Sequence, residues 1–127
     1  MPEPVEVLHL VVPPYAAHLE AVRAVAGHAA DRAGLEADDR EDLCLAVDEL
    51  CQLVVGATDF ALLVTLAAHP SMVLARVVAR RRDGAAIDEL SSLAAAVLAR
   101  AVDFYTLGPS DDAVEGMVVK CRAGTRR

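Results

Sequence analysis

Pro70-Ser71 separates two apolar, β-branched runs, FALLVTLAAH (60–69) and MVLARVVARR (72–81). Each run has the composition and length of a strand, and a Pro-Ser pair between them makes a tight hairpin turn. A chain that must form this hairpin has a sheet at its centre, and its other segments have to cover or extend that sheet. VEVLHLVV (5–12) reads as a further strand, β-branched with partial alternation, and Pro13-Pro14 ends it. DFYTLG (103–108) and GMVVKCRA (116–123) read as two closing strands around a loop, PSDDAVE, with GTRR as a frayed tail.

Three segments carry helical spacing instead. In 15–34, Leu19, Val22, Ala26 and Ala29 fall on one face; Pro14 is suited to open this helix and Gly34 to cap its C-terminus. In 37–56 the stripe is Leu43, Ala46, Val47, Leu50 and Val54, with Asp38 or Asp39 as N-cap, Glu41 and Asp42 near the positive end of the helix dipole, and Gly56 as the stop. In 87–102 it is Leu90, Leu93, Ala94, Val97, Leu98 and Ala101, with Asp88 or Ser91 as cap, after a turn at 81–86. The order β-α-α-β-β-α-β-β, without regular βαβ alternation, predicts an α+β sandwich: one sheet with helices on one face. There is no repeat or long linker, so residues 1–127 read as a single domain.

The core of that sandwich has to be aliphatic, because the chain is 55% hydrophobic but only 3% aromatic. A formal charge of −7 argues against nucleic-acid and anionic-membrane binding, which need basic surfaces. No apolar run reaches the roughly 18–20 residues of a membrane span, and MPEPVEVLHLVVPPY lacks the basic start of a secretory leader. A cytoplasmic location is expected. Cys44 and Cys51 lie about 10 Å apart along one helix, too far for a disulfide, so free thiols in a reducing compartment are expected.

Motifs for chemistry are mostly missing. There is no P-loop, G-x-G-x-x-G, H-E-x-x-H or paired C-x-x-C. His9, His18, His28 and His69 are scattered without an i, i+4 pair, so no metal site is expected. What stands out is LCLAVDELCQLVV (43–55), an apolar helix with a carboxylate, Glu49, set one turn from Leu45 and from Leu53. On a helical wheel Glu49 lies roughly 110° from the centre of the core stripe, at its boundary.

This segment, with the order of elements, resembles the anti-sigma-factor/serine-protein-kinase group (RsbW and SpoIIAB type) of the GHKL, or Bergerat-fold, ATPases, and within it the actinobacterial UsfX type. The resemblance implies a histidine-kinase-like two-layer sandwich with a mixed sheet. Active members carry on this helix a general-base Glu and, four residues later, a Mg²⁺-holding Asn. Here Glu49 is in place, but Leu53 stands at the Asn position, and a leucine offers magnesium no oxygen ligand. Gln52 points about 100° away. The family's D-x-G-x-G motif fits best at Arg82-Asp83-Gly84-Ala85-Ala86: Arg82 replaces the adenine-reading Asp, Gly84 keeps one glycine, and Ala86 replaces the second. Shifting by one puts Asp83 near the acidic position but misplaces the glycines. The long glycine-rich lid that active members place before the last helix has no room here, since the helical pattern resumes at Asp88.

The resemblance therefore implies a degenerate member that binds a sigma factor or a STAS-type anti-sigma antagonist by protein contact, as a homodimer, with no cofactor where active members take Mg-ATP. The surface implied for partners is around 15–34, with Glu20 and Arg23 as candidates. Glu49 has three readings: a working base, a family remnant hydrogen-bonded at a shallow former pocket, or a solvated helix residue. Two other functions stay open: an ATP-dependent serine/threonine kinase acting on the antagonist, and a non-enzymatic dimerisation scaffold.

Overall fold

The hairpin that organises the sequence forms at the expected turn: His69 pairs with Met72, and Ser71 takes a left-handed φ of 65°. The computed structural model describes residues 3–85 and 92–125. Within them the strands are β1 (Glu6–Val12), β2 (Leu62–His69), β3 (Met72–Arg80), β4 (Phe104–Ser110) and β5 (Ala113–Cys121), and the helices are α1 (Leu19–Ala33), α2 (Ala37–Val55) and α3 (Ser92–Ala101). A short 3-10 turn, Ala16–His18, leads into α1. The element order is the one read from the sequence. Asp88 and Ser91, the two expected caps of the last helix, together with Ala86, Ile87 and Leu90, lie outside the described residues.

The sheet runs in the order β1-β2-β3-β5-β4. Every neighbouring pair is antiparallel, which corrects the expected mixed sheet. The reason is topological. β3 and β4 do run the same way across the α3 crossover, but β5 folds back between them, so the two parallel strands never touch. The loop expected at 109–115 is mostly strand: β4 extends to Ser110 and β5 begins at Ala113, leaving a turn at Asp111-Asp112 with Asp111 at φ 55°. Pro109 is tolerated there because β4 is an edge strand, where a missing N–H costs no ladder bond.

Alternation puts Leu62, Val64, Leu66, Val73, Ala75, Val77, Val114 and Val118 on the covered face, all buried. The helices supply Leu19, Val22 and Ala26 from α1, Leu43, Val47, Leu50 and Val54 from α2, and Leu98 from α3, which is the aliphatic core expected. Leu93 departs from its expected place in the stripe and is 76% exposed. Ala94, Leu98 and Ala101 fill the inward face of α3, and Leu93 sits about 100° around from them. The other face of the sheet is open. Val7, Val11, Leu63 and Phe104 are exposed on it, around an Arg76–Glu115 ion pair of 2.6 Å.

Two close contacts fix α2 on the sheet. Gly116 of β5 lies under Leu50, and a Cβ added at 116 would collide with the Leu50 side chain. At the helix start, neither Asp38 nor Asp39 is the cap; the N-cap position is Glu36, without a side-chain cap bond. The helix starts at Ala37, the expected first residue, so both aspartates already stand in its first turn, where their charge suits the dipole. Asp39 is buried instead. Its carboxylate lies 3.5 Å from Lys120 Nζ and accepts a 2.9 Å bond from the Ala123 N–H. Lys120 is itself 3% exposed; its ammonium also donates to the Ala101 carbonyl at 2.7 Å and sits 3.3 Å from Asp42. One buried ammonium thus joins the start of α2, the end of α3 and the end of β5. Lys120→Met removes the cation from a buried carboxylate, and urea unfolding should show a loss of about 3 kcal/mol.

Candidate functional site

The sequence points to the C-terminal half of α2 and the segment after β3. Glu49 and Leu53 stand one turn apart on α2, as the spacing requires. Glu49 is half-buried and makes no hydrogen bond or ion pair with any described residue. The neighbouring acid is the engaged one: Asp48 accepts from Arg23 Nε at 2.9 Å and from Gln52 Nε2 at 2.8 Å, tying α2 to α1. Gln52 is thereby turned toward Asp48. Leu53 is half-buried and packs against the core.

Arg82 does something the sequence did not reveal. Its backbone N–H donates to the Ala57 carbonyl at 2.9 Å, its Nη2 donates to the Gly56 carbonyl at 3.2 Å, and its Nη1 lies 3.5 Å from Asp59. A guanidinium at the end of α2 satisfies a terminal carbonyl and opposes the negative end of the helix dipole. Thr58 completes this junction. Its hydroxyl donates to the Arg80 carbonyl at 2.6 Å and accepts from the Phe60 N–H at 2.9 Å, while the Arg80 guanidinium lies 4.9 Å from the centre of the Phe60 ring. On the other side the Arg81 N–H donates to the Asp112 carbonyl at 2.7 Å. Residues 80–82 are therefore held between the α2–β2 loop and the β4–β5 turn. Gly84 follows in a turn closed by Ala85 N–H to the Arg82 carbonyl, and its φ of 76° with open space around it explains the glycine without any ligand.

These groups do not fit a magnesium nucleotide. Leu53 offers magnesium no oxygen ligand, and the Arg82 guanidinium is already spent on Gly56 and Asp59. Among the described residues no group of three His, Cys, Asp or Glu side chains could hold a metal ion, and no helix is long and apolar enough to cross a membrane. Of the two residues expected at a partner surface, Arg23 is bonded to Asp48, and Glu20 is exposed beside a groove between α1 and β1.

The cysteines are free, as spacing predicted for the pair on α2. Burial pushes the Cys51 thiol up to about 12, with the nearby Asp48 charge adding to the shift. Burial also raises Cys44, whose thiol faces the Arg23 carbonyl at 3.7 Å.

No protein-family model matches this chain, and no curated protein does. Its fold is similar to a solved structure, the crystal structure of the RsbU and RsbW domains of Rv1364c from Mycobacterium tuberculosis, with a TM-score of 0.71 and 21% identity. The match covers 93% of this chain and 33% of that one, so this chain spans a third of the protein it resembles. At that identity the likeness is one of fold.

Two outcomes follow. Arg82→Ala should lower stability by about 1 kcal/mol, the worth of a half-exposed charged bond at a helix C-terminus, read by thermal or urea unfolding. The raised Cys51 pKa keeps the native thiol protonated. Its contribution to stability is complete below the unfolded value near 9 and is lost as pH rises from there toward about 12. Ellman's reagent at pH 8 should accordingly leave Cys51 unlabelled until the protein unfolds.

Proposed function

We propose that this chain is a cytoplasmic regulator of the anti-sigma-factor class that acts by holding a protein partner, a sigma factor or a STAS-type antagonist, without phosphoryl transfer. The fold likeness to RsbU and RsbW domains supports the class. The observation that carries the non-catalytic reading is Arg82. At the position where active relatives read adenine with an acid, this chain places a guanidinium and uses it to close the end of α2. Leu53 at the metal-ligand position supports the same reading. Glu49 is then a remnant of the ancestral chemistry.

A second reading has one observation in its favour. Glu49 is unengaged by the described residues, as a base awaiting a substrate would be, and this keeps a serine/threonine kinase acting on the antagonist as the alternative. Mg-ATP separates the two. A nucleotide at a hundred times its Kd stabilises a protein by about 2.7 kcal/mol. The proposal expects no change in melting temperature with Mg-ATP, no labelling of a STAS protein from γ-labelled ATP, and co-purification with a sigma factor that survives Glu49→Gln. A clear thermal shift with label transfer lost in Glu49→Gln would establish the kinase instead.

A further inference from the structure

An imidazole, a thioether and a thiol meet at one end of the sheet. The Pro70-Ser71 turn sets His69 opposite Met72, and Met72 is in turn opposite Cys121. The three residues form a row across β2, β3 and β5. Alternation puts their side chains on the face turned away from the helices, because Ala68, Val73 and Lys120, their neighbours in sequence, are buried on the covered face. Arg122, on the far side of Cys121, likewise reaches the helix layer, where it lies 3.6 Å from Glu36. His69 has no metal-ligating partner at i, i+4 along the chain, but the sheet gives it two across strands. Met72 makes three donors of a row in which histidine and cysteine alone give two.

The backbone that carries these donors is held on several sides. The Ser71 carbonyl accepts from the Arg122 N–H at 2.8 Å, which ties the hairpin tip to the end of β5, and the Ser71 N–H donates to the Ala33 carbonyl of α1 at 2.9 Å. The Cys121 N–H donates to the Asp103 carboxylate at 2.7 Å. Directly opposed residues have Cβ atoms about 4.5–5.5 Å apart, so the Met72 thioether stands between the imidazole and the thiol. His69 and Cys121 are two strand spacings apart, about 9.6 Å. An imidazole and a thiol leaning over Met72 close that gap through metal bonds of about 2.0–2.3 Å. The surroundings are partly dry. His69 is 7% exposed, Met72 and Cys121 are half-buried, and the next row inward on this face is Ala67, Leu74 and Val119.

The donor set selects the ion. Thioether and thiolate sulfur favour soft Cu⁺, and imidazole suits copper, whereas magnesium and calcium need oxygen. Zn²⁺ takes thiolate, imidazole and carboxylate, and a thioether adds little to its hold. Charge agrees. One thiolate and one Cu⁺ sum to zero, which a half-buried apolar row tolerates, whereas a divalent ion would leave a net charge there. The basic groups that flank Cys121 in sequence, Lys120 and Arg122, lie on the other face of the sheet. We infer that His69, Met72 and Cys121 form a site for one Cu⁺ ion, the Cys121 thiol giving its proton to water as the sulfur–copper bond forms. The site is at the opposite end of β3 from Arg82, and nothing in the Mg-ATP experiment bears on it.

Anaerobic titration of the reduced full chain with Cu⁺, in competition with bicinchoninate, tests the inference. One Cu⁺ should bind per chain, and an equal concentration of Zn²⁺ should not displace it. Met72→Leu keeps every thiol and nearly the same volume, and should weaken binding roughly tenfold or more, since even an outer-shell partner of a metal site is worth that. His69→Gln should do the same. Cys121→Ser should remove the site, whereas Cys44→Ser should leave it unchanged, because that thiol sits on α2 against the Arg23 carbonyl. X-ray absorption at the copper edge should show one imidazole nitrogen and two sulfurs. Failure to take Cu⁺ from bicinchoninate, displacement by Zn²⁺, Met72→Leu binding like the wild type, Cys44→Ser as damaging as Cys121→Ser, or a copper shell of sulfur alone would each overturn the inference. The absorption spectrum of the wild type decides the matter even if a variant fails to fold.

Discussion

The seating of α2 on the sheet is the contact the rest of this molecule depends on. Leu50 presses into space that exists only because position 116 lacks a side chain. That approach lets one nineteen-residue helix touch α1 on one flank and α3 on the other while lying over β3 and β5. Its two ends are then anchored by opposite means. At the start, the buried Lys120 ammonium gathers Asp39, Asp42 and the Ala101 carbonyl. At the end, Arg82 takes the Gly56 carbonyl. Basic groups from elements far away in sequence hold both ends in register.

That arrangement also bears on the site. The candidate site is bounded by the junction after β3. Here the same junction is tied by Arg82, Thr58 and the Arg81–Asp112 backbone bond, and the turn at Gly84 leads straight away from it. The Arg82 guanidinium is a donor spent on the protein itself, at the Gly56 carbonyl and the Asp59 carboxylate. This corner is held by internal bonds, while Glu49 makes none with any described residue.

Much of this was legible because hydrophobic periodicity is local. Leu43, Ala46, Val47, Leu50 and Val54 announce the buried face of α2, and the Pro70-Ser71 turn announces the central hairpin. The antiparallel character of the whole sheet was not legible, because it depends on where β5 inserts, and that is a long-range choice. Asp39 was misread as a cap because its partner, Lys120, lies far down the chain in what looked like an ordinary strand. At the site, the residue types at 49, 53, 82 and 84 were visible. The capping role of Arg82 was not, since nothing in a lone arginine shows which carbonyl it will meet; Thr58 and Asp59, which share its junction, gave no signal of their own.

The two edges of the sheet differ, and the difference sets how far the chain can assemble. β4 carries Gly108 and Pro109 in its second half, so its outer edge is short of a donor and of side-chain packing where an added strand would need both. Growth from that side is blocked. A sheet with two receptive edges can add copies at both and grow into a fibre, and one closed edge forbids that. Pro109, which looks like a defect in its own strand, acts as a chain terminator for the sheet.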